Sequence, residues 1–306
     1  TLMTEHVCPV GALTSRDFRF MARVWFLKSQ PSVCPGCSTG CNMHADYDPR
    51  YNRVYRLRPR DNLQVNKFWM CDDGMMTYRR IHEERVEAGI LGRGDRAEAI
   101  TPEEAVDEAA EQLRGVDPSK LAVVLSAQHA SEDNHVLAAL ARKLGTDKLY
   151  LAALEDWEGD DILRDADHNP NRRGATAAAG GTLDQTVEDL VQDVMGGEVE
   201  AVIALGWATA AERDQLTPLE KLDAVVSLTS NEGPLSSVAS VVVPVASWAE
   251  MHGHFVNNQD MAQRFRRVIS PPPGVAPAWK TLAELAERLE APRGYERIQD
   301  VWQELF

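Results

Sequence analysis

The chain has 306 residues, 44% of them hydrophobic, which suffices for one large or two modest domains with a buried core. No stretch approaches the roughly 20 apolar residues of a membrane span. The formal net charge of −15 is uneven: residues 1–96 carry 15 Lys and Arg against 11 Asp and Glu, and the remainder carries 17 against 36. The acidic remainder and the lack of a basic–aromatic motif argue against binding of nucleic acid.

The first part of the chain predicts a small β-rich module over residues 23–80. Residues 22–27 are apolar enough for a strand, and residues 53–58 alternate apolar and basic side chains as a half-buried strand does. Pro59 ends that run, and residues 67–70 bring the chain back to Cys71.

The second part alternates helices with continuous apolar runs. Thr101 and Glu104 form a capping box that starts one helix, and Gly145 ends another that begins at Ser131. Further helices are predicted over residues 183–195 and 278–289, and strands at residues 121–126, 148–151, 201–205, 224–228 and 241–245. This alternation predicts a doubly wound, mostly parallel sheet.

Four of the five cysteines follow the pattern Cys34-x2-Cys37-x3-Cys41-x29-Cys71. Three thiols in one tight loop and a fourth from a distant point can enclose a cubic cluster, and four Cys thiolates are the usual ligands of [4Fe–4S] clusters. Two glycines lie within the triplet, where a backbone that wraps a cluster needs positive φ angles and close approach of its amides. We interpret these four residues as ligands of a [4Fe–4S] cluster.

Two other uses of cysteine fit the pattern less well. Structural zinc is usually held by separated pairs of Cys or His, which a triplet with one distal partner matches poorly. A disulfide framework is typical of small secreted chains, and the odd number of cysteines also disfavours it.

Cys8 is the fifth cysteine, and Pro9 follows it. Ferredoxin-type runs end in Cys-Pro, and that last Cys commonly binds a cluster other than the one bound by its neighbours. We therefore expect Cys8 to bind a second [4Fe–4S] cluster whose other ligands lie upstream, in a longer chain of which this sequence is a fragment. The alternative is a buried free cysteine.

These observations together predict an α/β fold in which a small β-rich [4Fe–4S] domain precedes a doubly wound, mostly parallel sheet domain. Residues 1–22 are interpreted as the tail of a ferredoxin-like cluster domain and residues 23–80 as the [4Fe–4S] domain. Residues 81–119 are a helical connection, and residues 120–306 are the α/β domain with its closing helix. No G-x-G-x-x-G or G-x-x-x-x-G-K-[ST] motif is present, so a conventional dinucleotide or ATP site is not expected.

The cysteine pattern, with Asn42 after the triplet and Gly74 after the fourth cysteine, resembles the cluster domain of the molybdopterin oxidoreductase superfamily. Within it, the chain resembles the large iron–sulfur subunit (the G subunit) of bacterial NADH:quinone oxidoreductase, complex I. Further similarities lie in the segments Cys8-Pro9-Val10-Gly11-Ala12-Leu13, Asn169 to Ala175, Ala249 to Asn257 and Gln263-Arg264-Phe265.

The resemblance implies an electron-transfer subunit that holds iron–sulfur clusters and carries out no catalytic step of its own. Electrons would pass from a flavin partner towards quinone. The implied partners are the flavin/NADH-binding subunit and other iron–sulfur subunits, with no nucleic acid and with the membrane only indirectly, through the complex. The implied location is cytoplasmic, at the inner face of the cell membrane.

Asp73 departs from the pattern of catalytic molybdopterin enzymes, which usually carry Lys or Arg two residues after the fourth cysteine. An acidic group there would repel the phosphates of a pterin dinucleotide, so we do not expect a molybdopterin cofactor. Two alternatives stay open: a fragment of a catalytic molybdopterin enzyme such as formate dehydrogenase, and a zinc-stabilised interaction protein.

Overall fold

A computed structural model describes residues 1–160 and 162–305. The chain forms two compact units, and each is described by itself. Unit 1 combines three segments that are distant in sequence, Thr1–Glu83, Asp156–Pro170 and Ser247–Ser270. Unit 2 consists of Glu84–Glu155, Asn171–Ala246 and the chain from Pro271 onward.

Unit 1 is built on a three-stranded antiparallel sheet in the order β1-β2-β3. The strands are β1 (Lys28–Val33), β2 (Asn42–Asp48) and β3 (Arg53–Pro59). Val33 pairs with Asn42, so the loop between β1 and β2 leaves and re-enters the sheet at adjacent positions. The apolar face of this sheet covers a core that also includes cysteine side chains: Cys34, Cys41, Met43, Ala45, Val54, Leu57, Met70 and Met75.

The remaining described elements of unit 1 are short. Two five-residue helices are α1 (Met3–Val7) and α2 (Asp72–Met76). Strands β11 (Gly253–Val256) and β12 (Ala262–Phe265) form an antiparallel pair, in which Phe255 and Phe265 lie with their rings 4.5 Å apart. We call residues 253–265 the late hairpin and Asp156–Pro170 the strap.

Unit 2 contains a seven-stranded sheet in the order β5-β4-β10-β9-β8-β6-β7. The five strands from β10 to β7 are parallel, and β4 and β5 add an antiparallel edge. The strands are β4 (Gly89–Leu91), β5 (Glu98–Ile100), β6 (Leu121–Ser126), β7 (Leu149–Ala152), β8 (Ala201–Leu205), β9 (Ala224–Thr229) and β10 (Val241–Pro244). All side chains of β6, β8, β9 and β10 are buried, as continuous apolar runs predict.

The described part of unit 2 contains four helices that the sequence predicts, one of which begins four residues later than predicted, and three shorter helices that the sequence analysis does not predict. They are α3 (Pro102–Leu113), α4 (Ser131–Leu144), α5 (Arg172–Ala178), α6 (Val187–Met195), α7 (Pro234–Val238), α8 (Ala278–Arg288) and α9 (Ile298–Leu305). The capping box at Thr101 is present, and Gly145 ends α4 with a φ of 92°. The predicted fold class, a small β domain followed by a mostly parallel α/β sheet, is confirmed.

Two local predictions differ from the structure. The strand predicted at residues 22–27 is wrong, because Val24–Phe26 forms a 3-10 turn whose apolar side chains are exposed, and β1 begins only at Lys28. The segment 81–119, interpreted as a helical connection, contributes β4 and β5 to the large sheet as well as α3. The domain boundaries themselves stay a prediction.

Candidate iron–sulfur site

Residues 34–41, here called the cysteine loop, connect β1 to β2 as a closed turn. The backbone N–H of Cys34 donates to the carbonyl of Cys41 at 2.8 Å, and the N–H of Gly40 donates to the carbonyl of Cys37 at 3.2 Å. All three cysteines of the loop are buried. The loop therefore gathers three of the four predicted ligands within one turn of chain.

Cys71 reaches the same place from the start of α2. It is the N-cap residue of that helix, and its sulfur accepts the N–H of Gly74 at 3.2 Å. A Cβ added at Gly74 would lie 3.0 Å from the sulfur of Cys34 and 3.3 Å from that of Cys71. The backbone at residue 74 thus lies against two of the predicted ligand sulfurs, which favours glycine there.

Backbone amides point at these sulfurs, as cluster ligands require. The N–H of Gly36 donates to the sulfur of Cys34 at 3.3 Å, in addition to the bond between Gly74 and Cys71. Hydrogen bonds to sulfur stabilise the thiolate form and tune the reduction potential of a bound cluster.

The electrostatics of the site fit a cationic iron core. Burial raises the pKa of Cys34 well above its usual value, and the negative charges of Cys41, Cys37 and Cys71 raise it further. Burial likewise raises the pKa of Cys41, with smaller contributions from Cys37 and Cys71. Clustered thiolates that repel one another in a largely buried site are ionised together only beside a compensating positive charge, which iron ions supply.

The late hairpin holds the backbone of the cysteine loop. Gln263 donates from Nε2 to the carbonyl of Gly40 at 2.8 Å and accepts at Oε1 from the side chain of Asn42 at 2.5 Å. Asn257 donates to the carbonyl of Thr39 at 3.3 Å. Both hairpin side chains are buried. Only the family resemblance pointed to these two residues from the sequence, since nothing local connects residue 263 to residue 40.

The strap crosses the same loop. The N–H of Ser38 donates to the carbonyl of Asp167 at 3.0 Å, and the hydroxyl of Thr39 donates to the carbonyl of Leu163 at 2.7 Å. The N–H of Asp165 donates back to the hydroxyl of Thr39 at 3.2 Å. The polar insertion after β7, for which the sequence indicates no role, thus contains a segment bonded to the cysteine loop.

Two opposite charges flank Cys71. Nη1 of Arg164, on the strap, lies 2.9 Å from Oδ2 of Asp73. Burial is the main cause of a raised pKa at Cys71; the negative charge of Asp73 adds to it, and the positive charge of Arg164 opposes it. The acidic residue noted in the sequence is therefore paired with a cation from a distant segment.

Cys8 lies outside this group, at the end of α1. The backbone N–H groups of Leu13, Val10, Ala12 and Gly11 surround its sulfur and lower its pKa. Amides wrapped around a thiolate suit a cluster ligand, and they arise from the short turn after Pro9 that the sequence singled out.

The later part of the Asn169 to Ala175 segment, from Asn171 onward, has a structural role in unit 2. Asn171 donates to the carbonyl of His129 at 2.7 Å, and its Oδ1 accepts from the hydroxyl of Ser131 at 3.1 Å. A Cβ at Gly174 would lie 2.2 Å from that same oxygen of Asn171. The glycine is therefore needed for the polar contacts around the turn that follows β6.

Two further features are absent from the part of the chain that the structure describes. Within residues 1–160 and 162–305, no group of three or more His, Cys, Asp or Glu side chains has the geometry to hold a metal ion. No helix of the described chain is long and apolar enough to cross a membrane.

Comparison with known proteins defines the family. Residues 27–83, which include Cys34, Cys37, Cys41 and Cys71, match the family model for the molybdopterin oxidoreductase Fe4S4 domain. Residues 166–288 match the family model for molybdopterin oxidoreductase. The chain thus carries two domains of the molybdopterin oxidoreductase family, which confirms the family predicted from the cysteine pattern.

Within that family, the chain is similar to one particular component of a larger enzyme. It is 29% identical over 158 residues to the NADH-quinone oxidoreductase G subunit of Rickettsia felis, an alignment that covers 52% of this chain and 23% of that protein. It is 30% identical over 173 residues to the NADH-ubiquinone oxidoreductase 75 kDa subunit of Reclinomonas americana, covering 54% of this chain and 25% of that one. The chain spans about a quarter of the length of these relatives.

A solved structure of similar fold is acetylene hydratase from Pelobacter acetylenicus. The TM-score is 0.61, with 87% of this chain and 70% of that chain covered. Sequence identity is 12%, so this likeness concerns the fold alone.

Proposed function

We propose that the chain is an iron–sulfur electron-transfer subunit of a complex I-like NADH:quinone oxidoreductase. The observation that carries the proposal is the gathering of four cysteine side chains, three of them buried and two of them with sulfurs that accept backbone N–H groups. A bound [4Fe–4S] cluster would accept and donate one electron at a time. Cys34, Cys37, Cys41 and Cys71 would hold it, and the strap and late hairpin would fix the backbone around it.

The similarity to the large iron–sulfur subunits of NADH-quinone oxidoreductases supports the rest of the assignment. Electrons would arrive from a flavin-binding partner and leave towards quinone, and no residue of this chain would act in acid–base or nucleophilic catalysis. Cys8 would bind a second [4Fe–4S] cluster with ligands from outside residues 1–306. The complex would place the chain in the cytoplasm, at the inner face of the cell membrane.

The match of residues 166–288 favours one other candidate, part of a catalytic molybdopterin enzyme. Against it stands Asp73, whose carboxylate is paired with Arg164 beside Cys71. Because this carboxylate offsets the charge of Arg164, the phosphates of a pterin dinucleotide would gain little from that cation. We therefore propose that no molybdenum chemistry takes place on this chain, and analysis of the purified protein for molybdenum and tungsten tests this point.

The deciding experiment is anaerobic purification of this chain with joint measurement of iron, sulfide, zinc and molybdenum. We expect about four iron and four sulfide ions per chain. Cys34→Ser should lose most of both, whereas the matched variant Cys8→Ser should keep them. One zinc ion without iron would overturn the electron-transfer proposal.

A further inference from the structure

The backbone at Arg164 is bonded to Asp160 within the strap. The carboxylate oxygen Oδ1 of Asp160 accepts the backbone N–H groups of Ile162, Leu163 and Arg164 at 2.8, 2.6 and 3.1 Å. The N–H of Asp160 in turn donates to the carbonyl of Arg164 at 2.8 Å. These bonds fix the backbone position from which the Arg164 side chain extends.

The guanidinium group is also fixed at its far end. Nη1 contacts Asp73, and the group lies over the ring of Trp157 at 5.0 Å from the ring centre. Trp157 itself stacks on His168 at 3.7 Å and donates from its indole N–H to the carbonyl of Asp165. The carboxylate of Asp73 and the ring of Trp157 thus hold the guanidinium beside the segment that begins at Cys71.

One N–H donor of this guanidinium has no hydrogen-bond acceptor among the described residues. The Nε–H of Arg164 is buried from solvent and donates to no acceptor among the described residues. A buried donor of a charged group without an acceptor is unfavourable, because its hydrogen bond to water has been lost and not replaced. Its partner Asp73 stands two residues after Cys71, so the charge of this guanidinium lies beside the proposed cluster.

We propose that the guanidinium charge of Arg164 tunes the reduction potential of the cluster, with Asp73 holding that charge beside Cys71. This inference rests on the proposed function. One-electron reduction adds one negative charge to the cluster, and a fixed cation beside it stabilises the reduced form. The negative charge of Asp73 lowers the reduction potential, whereas the positive charge of Arg164 raises it. The two residues together therefore set the potential of the cluster.

The test is a redox titration of the reconstituted full chain, in which electron paramagnetic resonance measures the reduced cluster at each potential. At the potential where the wild-type cluster is half reduced, Arg164→Gln should lower the ratio of reduced to oxidised cluster about tenfold, equivalent to a shift of about 59 mV for one electron. Asp73→Asn should change the ratio in the opposite direction. Arg164→Lys keeps the charge without the planar fork of donors and should fall between wild type and Arg164→Gln.

The control is Arg267→Gln, which removes the same charge from an exposed position in unit 1 and should leave the titration unchanged. Iron content is measured for every variant. An unchanged ratio in iron-loaded Arg164→Gln, or an equal shift in Arg267→Gln, overturns the inference while leaving the proposed function intact. If Arg164→Gln fails to retain iron, a ratio in Asp73→Asn that does not rise overturns it. A wild-type chain that binds no iron overturns both.

Discussion

At the scale of single residues, the site requires glycine at two positions where neighbouring atoms leave little or no room for a Cβ. Gly40 has a φ of 64°, and a Cβ there would lie 2.6 Å from Nε2 of Gln263. Gly74 leaves room for two sulfurs in the same way. The sequence predicted glycines near a cluster, but only the fold shows which neighbour each one makes room for.

Gly40→Ala should destabilise unit 1 and weaken retention of iron. The left-handed backbone alone costs alanine roughly 1–2 kcal/mol, and the clash with Gln263 adds to it. Gly115→Ala is the matched control, since Gly115 has a φ of 81° with nothing within 4 Å of its added Cβ. Chemical denaturation and iron release measure both variants; equal losses in the two would show that the contact with Gln263 is unimportant.

Asp46 is a buried carboxylate on β2 whose partners lie on β3. Arg56 donates to it at 2.8 Å and Arg58 at 2.7 Å. Burial raises the pKa of Asp46, but the bonds from Arg58 and Arg56 outweigh burial and hold the pKa below its usual 3.8. The carboxylate is therefore stabilised more in the folded state than in the unfolded chain.

The pH dependence of folding stability follows from this lowered pKa of Asp46. The stabilisation by Asp46 is complete above about pH 3.8 and is lost as the pH falls through the lower pKa of the folded protein. Asp46→Asn should cost about 3 kcal/mol near neutral pH, because it removes the buried carboxylate shared by Arg56 and Arg58 and leaves Arg56 with only Glu5. Urea unfolding against pH measures this; a difference between wild type and variant that does not shrink in acid would contradict it.

At the scale of elements, unit 2 was more predictable from the sequence than unit 1. Continuous apolar runs at β6, β8, β9 and β10 indicated those strands directly, because buried parallel strands need no partner-specific pattern. The late hairpin was not predicted, since each of its strands has only four residues. The strap's bonds to the cysteine loop join residues more than 120 apart, which no local pattern encodes.

A substitution at Gln263 tests whether the late hairpin stabilises the cysteine loop. Gln263→Leu removes the bonds to Gly40 and Asn42 and leaves a buried carbonyl and amide unsatisfied, at a cost of roughly 2–3 kcal/mol. We expect faster loss of iron on dilution into chelator. Gln259→Leu, at an exposed position of the same hairpin, should behave as wild type. Equal rates of loss for the two variants would argue against a role for Gln263.

At the scale of the whole molecule, the two compact units predict separable unfolding. Cys34→Ala should lower the thermal transition of unit 1, because it removes one proposed cluster ligand, and should leave that of unit 2 unchanged. Calorimetry detects the transitions, and removal of iron from the wild-type chain should reproduce the effect. Loss of both transitions together would contradict independent stability of the units.

Unit 1 is assembled from three segments that end at residue 270, although its four clustered cysteines have all been made by residue 71. At about 5–20 residues per second, synthesis of the 199 residues that follow Cys71, up to Ser270, takes about 10–40 s. During that interval the nascent chain carries the complete set of thiols without the late hairpin that fixes their loop. We therefore expect stable insertion of iron to follow translation of the segment that ends at Ser270, because a shorter nascent chain lacks the hairpin bonds to the cysteine loop.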